Sequence, residues 1–135
     1  MLEVHHADQE LVDRAGVAIL AGIGASPADA LRPNILYADV IEQITDQHAV
    51  IINRNRDASM VLPGETLLVY EVTPALFAAV AANAAERVAP EVTLVAVSMI
   101  GAAGRIYLSG PTESVKRARD EITRVLESVE GREHS

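Results

Sequence analysis

Residues 91 to 122, EVTLVAVSMIGAAGRIYLSGPTESVKRARDEI, constrain the fold more than any other stretch of this chain. Two short runs of β-formers flank the small residues Gly101, Ala102, Ala103 and Gly104. That pattern predicts strands over 92–99 and 105–109 joined by a tight hairpin. Gly110 and Pro111 then open a helix, with Glu113 favourable in its first turn. Val115, Ala118, Ile122, Val125 and Val129 recur at three- and four-residue steps and predict one buried stripe. Lys116, Arg117 and Arg119 fall mostly outside it among acids, as on a solvated helix face.

Upstream, TLLVYEV (66 to 72) reads as a strand. Residues 73 to 89 read as an Ala-rich helix, with Thr73 as N-cap, Pro74 at its first position and Pro90 as its stop. The order strand, helix, strand, strand, helix is that of an α+β split βαβ (ferredoxin-like) sandwich, which normally adds a fourth strand at its end. The sequence ends at Ser135 without that strand, and a three-stranded sheet leaves an edge to cover. HAVIIN (48 to 53), with three β-branched residues in a row, is the best upstream strand signal. The last strand is therefore expected to precede the first, a circular permutation.

Residues 1 to 47 read less directly. Asp8 can cap a short turn ending at Gly16. VAILAGI (17 to 23) is uncharged and suits a buried strand. Ser26, Pro27 and Asp29 have the pattern of a helix start, and Pro33 that of a stop. NILYADVIEQITDQ (34 to 47) sets Leu36, Val40, Ile41 and Ile44 at helical spacing, and an extended reading of its first half stays open.

Composition narrows the chemistry. The chain has 135 residues, enough for one domain, and a net charge of −8 from 19 acidic and 11 basic residues. That balance argues against nucleic acid or an anionic membrane as partner. There is no cysteine, so disulfides and thiolate sites are excluded. The first residues lack the apolar core of a signal peptide and no apolar run spans a membrane, so a soluble cytoplasmic protein is expected. His5 and His6 suit a disordered terminus better than a metal site; His48 and His134 are isolated and read as surface residues. Gly22 and Gly24 begin a dinucleotide fingerprint that Pro27 breaks. No serine sits in a nucleophile elbow and spacing pairs no carboxylates, so neither an enzyme nor a bound cofactor is expected.

Two features ask for more than the plainest reading. Exposed turns usually carry Asn or Asp, so a tip of Gly and Ala is either an ordinary tight turn or backbone packed against something. Asn83 and Arg87 lie one turn apart on the Ala-rich helix, which makes either a solvated face or an interface bearing a planar guanidinium.

LLVYEVTPALFAAVAANAAERVAPEVTLVAVSMIGAAGRIYLSGPTESVKRARDEI resembles the shell proteins of bacterial microcompartments from first strand to second helix. The resemblance implies a cyclic homohexamer that tiles a shell with other shell proteins and passes small metabolites along its axis. Gly101, Ala102, Ala103 and Gly104 match the family's pore loop. Asn83 and Arg87 stand where the family has an acid and, one turn on, an edge lysine. Arg54, or else Arg56, matches the edge arginine that follows the family's last strand. The relocated strand is similar to the permuted subgroup of ethanolamine and propanediol compartments, in which a preceding segment forms a small barrel over the pore. This divides the chain into an extension over 1–47, which either plugs the pore or packs within its own subunit, a shell domain over 48–130 and a tail over 131–135. Arg for Lys and Asn for acid depart from the family's edge. Pro90 and Glu91 add a residue before the second strand, and the hairpin to Gly110 is one shorter. The competing class is an oligomeric regulatory domain of the same fold that binds a small ligand between subunits.

Overall fold

The structure, a computed structural model, describes residues 2–133. Its elements are α1 (Gln9–Gly22), a single 3-10 turn (Pro27–Asp29), β1 (Asn34–Ile41), α2 (Asp46–Arg54), β2 (Thr66–Thr73), α3 (Phe77–Val88), β3 (Thr93–Ile100), β4 (Ala103–Gly110) and α4 (Thr112–Glu127). They divide into two units: Pro33–Val129, and the chain before and after it.

The larger unit is a four-stranded antiparallel sheet in the order β1-β2-β4-β3. Alternation along β2 sends Leu68, Tyr70 and Val72 to one face, where they meet Ile106 and Leu108 of β4. Ala78, Ala81, Ala82 and Ala85 of α3 cover that face with Val115, Ala118, Ile122 and Leu126 of α4. The alanines let α3 lie close to the sheet, and Tyr70 keeps its hydroxyl satisfied by Thr123 Oγ1 at 3.0 Å. A second cluster on the opposite face joins Leu67 and Val95 to Ile44, Ala49 and Val61, with Val69, Tyr107 and Ile52 packed on it.

From β2 onward the elements are those the sequence predicts, with three adjustments. Thr73 ends β2 and is not a helix cap; α3 begins at Phe77, after a turn in which the Phe77 N–H donates to the Pro74 carbonyl. The Thr73–Pro74 bond is cis. The α4 stripe closes on Leu126, with Val125 half-buried and Val129 beyond the helix.

Upstream of β2 the strands expected over 48–53 and 17–23 are overturned, and the open reading of 34–47 resolves to a strand in its first half. Residues 48–53 are not a strand but lie in α2. Thr45 caps this helix by accepting from the His48 N–H at 3.3 Å, Asp46 occupies its first turn, and Ala49 is its buried residue. β-branching at Val50, Ile51 and Ile52 costs little against such a cap and one buried side. Residues 34–41 are the edge strand, in the extended form left open for them, because β2 offers an unpaired edge to hydrogen-bond. Residues 17–23 form no strand: 17–22 lie in α1, which Asp8 caps by accepting from the Glu10 N–H and which runs past Gly16.

In the smaller unit Ser26 and Asp29 cap the 3-10 turn, with the Ser26 N–H donating to Asp29 Oδ2 at 2.8 Å. Residues 131–133 are not a loose tail. The Arg132 N–H donates to the Ala30 carbonyl, the Arg32 N–H to the Arg132 carbonyl, and Arg132 Nε to the Asp29 carbonyl at 2.8 Å. His134 lies outside the described residues.

Candidate functional site: the hairpin tip, the α3–α4 groove and an ion pair on the sheet face

β3 and β4 are joined by a two-residue turn, Gly101–Ala102, both exposed, with Gly101 at φ 63°. Only Gly tolerates that φ without strain. Thr73 Oγ1 donates to the Ala102 carbonyl at 3.1 Å and ties the tip to the end of β2. Ala103 is half-buried, and Gly104 is buried. A Cβ on Gly104 would meet the Ala75 carbonyl oxygen at 2.2 Å and Ala78 Cβ at 2.7 Å. The smallness of residue 104 thus has a reason inside the chain, the close approach of the β2–α3 connection. That of Gly101 is backbone conformation alone, its φ of 63°, since nothing lies within 4 Å of a Cβ there.

Asn83 and Arg87 are both exposed and line a groove of about 440 Å³ between α3 and α4. Val80, Val88 and Val125 form its apolar part, and Glu121 and Arg124 its far wall. Glu121 receives two bonds from Arg124, at 2.8 and 2.6 Å, and its carboxyl is held below the usual range by that partner. Among the described residues no hydrogen bond or ion pair engages the Arg87 side chain. Arg54, expected to meet position 87 across the edges of neighbouring rings, stands elsewhere on the chain. It ends α2 and borders a separate hollow with Asp46, Gln47, Val50 and Ile51. Its assignment rested on a strand over 48–53; the residues that follow the edge strand are Glu42 and Gln43, the latter at φ 51°.

On the sheet face opposite α3 and α4, β2 and β4 place Glu71 beside Arg105. Arg105 Nε donates to Glu71 Oε2 at 2.7 Å, a second guanidinium nitrogen contacts the same oxygen, and a third nitrogen reaches the Tyr107 hydroxyl at 3.5 Å. Glu71 and then Tyr107 push the Arg105 pKa further up. Sequence reading missed this pair. Its signal was present: one acid in an otherwise uncharged strand and one cation opening the facing strand, both at positions that alternation sends away from the helices.

The basic stretch 116 to 119 is offset as expected. Lys116 Nζ lies 2.8 Å from Glu42, Arg117 pairs with Glu91 and Arg119 with Asp120. The His6 ring accepts the Asp8 N–H at 2.9 Å. Among the described residues no group of three or more His, Asp or Glu is placed to hold a metal ion, and no helix is long and apolar enough to cross a membrane.

A solved structure described as the double ringed trimeric shell protein MSM0271 from the RMM microcompartment is 65% identical, superposes with a TM-score of 0.94, and matches 96% of this chain and 64% of that one. This chain is homologous to microcompartment shell proteins. The fused permuted hexameric shell protein MSM0275 from the same microcompartment is 45% identical with a TM-score of 0.87, over 91% of this chain and 62% of that one. The carboxysome shell protein CcmP of Synechococcus elongatus is 40% identical over 134 residues, 99% of this chain and 62% of CcmP. CsoS1D of Prochlorococcus marinus is 35% identical over 95% of this chain and 50% of its own length. The chain thus spans less than two thirds of the shell-protein relatives it matches. No protein-family model matches it.

Proposed function

We propose that this chain is a structural component of a bacterial microcompartment shell, located there and without catalytic activity of its own. The observation that carries the reading is the 65% identity to a shell protein with a TM-score of 0.94 across nearly the whole chain. Its sheet supports a permuted split βαβ sandwich, because β1 fills the edge beside β2 that a strand after α4 would otherwise take. The sensor-domain alternative is not favoured, since the relatives found are shell proteins.

In this reading copies of the chain close into a ring with the Gly101–Ala102 tips at its axis. Closed cyclic symmetry brings equivalent turns together, and side chains larger than Ala would fill the opening. Asn83 and Arg87 lie at the outer edge, where rings meet one another or other shell proteins. A homohexamer is the simplest such ring; the trimeric MSM0271 makes three-fold symmetry the alternative. Small metabolites pass at the axis. The N-terminal barrel is not part of the proposal, because 17–22 are helical.

Native mass spectrometry at micromolar concentration tests the ring. A closed cyclic oligomer is the expected result, and a monomer or dimer would overturn the shell reading.

A further inference from the structure

We propose that a hollow between α2 and the sheet binds a small uncharged molecule, an apolar body of about six to eight non-hydrogen atoms carrying one carbonyl or hydroxyl group. The site lies within one copy of the larger unit and does not rest on the ring reading above. The hollow holds about 200 Å³ and is lined by Ile51, Ile52 and Asn55 from the end of α2, Val95 and Ala96 of β3 and Tyr107 of β4. Val95 and Ala96 are buried and form its floor. Ile52 and Tyr107 are half-buried, and Ile51 and Asn55 are exposed at its rim.

The space has a cause in the chain. The β3–β4 register shifts between Leu94 and Ala96, so β3 bulges at Val95 and sets Ala96 opposite Tyr107. Ala96 is the small side chain among Leu94, Val95 and Val97, and a leucine in its place would take up the gap. The walls are pinned from the backbone. The Asp57 and Ala58 N–H groups both donate to the Val95 carbonyl, at 3.1 and 3.0 Å, and the Ser59 N–H donates to that of Leu94 at 3.2 Å. With the two bonds between Asn53 and Val61, they tie the chain after α2 to the sheet and hold the end of α2 over β3. A preformed, mostly apolar hollow with few polar groups is the usual make-up of a small-molecule site. None of the lining side chains is an acid or a strong base, and the floor offers no partner to an ion. Polar capacity sits at the rim, where, among the described residues, the Asn55 carboxamide has no hydrogen-bond partner. An occupant therefore turns its apolar body inward and its carbonyl or hydroxyl oxygen toward Asn55 as donor.

The test is heteronuclear NMR of the deuterated whole chain titrated with cyclohexanone, an uncharged ring of fitting size with one carbonyl. Saturable shifts are expected at the amides of Ile52, Val95, Ala96 and Tyr107. Cyclohexylammonium should bind about tenfold more weakly or worse, because its charge would lie against the apolar floor. Shifts confined to other amides, shifts that do not saturate, or equal affinity for the cation would overturn the inference. Ala96→Leu fills the hollow and should weaken cyclohexanone binding about tenfold or more; unchanged binding there also overturns it. Asn55→Leu, at the exposed rim, gives a second reading if Ala96→Leu does not fold. It should weaken cyclohexanone about fivefold, the loss of one hydrogen bond, and leave toluene, which has no such group, bound as by the parent. No loss for cyclohexanone, or an equal loss for both probes, counts against the site. Because the hollow belongs to a single subunit, each of these negative results leaves the shell reading standing.

Discussion

Gly104 and Ala75 approach so closely that a Cβ on Gly104 would sit 2.2 Å from the Ala75 carbonyl oxygen. The obstacle is backbone, which cannot swing aside as a side chain can. Gly104→Ala should therefore destabilise the protein by about 2 kcal/mol, as overpacking a filled site does. Gly101→Ala meets nothing within 4 Å but carries the φ of 63° that disfavours a side chain, and should cost about 1 kcal/mol. Urea unfolding monitored by circular dichroism separates the two; equal midpoints would remove the close-approach explanation for residue 104.

Glu91 anchors the start of α4. Its carboxylate accepts from the Ser114 hydroxyl at 2.7 Å and from Arg117, and these partners hold its pKa at about 2, against 4.5 unperturbed. A carboxyl whose folded pKa is depressed contributes stability that is fully present above its unfolded value and is lost as pH falls toward the folded one. The wild-type protein should thus lose part of its thermal stability between about pH 4.5 and pH 2, and Glu91→Gln should lose less over the same interval. Parallel melting curves for the two proteins across that window would exclude the clamp.

Asn53 satisfies both backbone polar groups of Val61. Its Nδ2 donates to the Val61 carbonyl and its Oδ1 accepts from the Val61 N–H, each at 2.9 Å. Val61 is fully buried against Leu67 and Val95, so the bonds close the loop from α2 onto the second core cluster. Asn53→Ala leaves a buried donor and acceptor unpaired and should cost about 2 kcal/mol. Hydrogen exchange should show lost protection at Val61 first; retained protection there would show that the loop is held by packing instead.

Arg87 is exposed and lines the α3–α4 groove beside Asn83. Arg87→Ala should leave the ring folded, with a melting temperature within about 2 °C, because exposed substitutions rarely exceed ~0.5 kcal/mol. Extended sheets seen by electron microscopy should become smaller or vanish if the edge proposal holds. Sheets of unchanged extent would place the contact between rings elsewhere.

Gly101, Pro111 and the stripe from Val115 to Ile122 show why the second half of the chain was legible in its sequence. Turns, helix starts and amphipathic stripes are local, and here each agreed with the packing. The small-residue hairpin at Gly101 and Ala102 was legible for the same reason. Between 34 and 54 the local signals pointed the wrong way. Leu36, Val40, Ile41 and Ile44 have helical spacing, and Val50, Ile51 and Ile52 are β-branched, yet the first segment is largely β1 and the second lies in α2. Only tertiary structure decided this. The edge of β2 needed a partner, and the pairing from Asn34 with Thr73 to Ile41 with Leu67 supplied it. Thr45 and the burial of Ala49 then fixed the helix that follows. The Glu71–Arg105 pair was likewise invisible as a pair until β2 and β4 were in register, because residues 34 positions apart share a face only once the sheet exists.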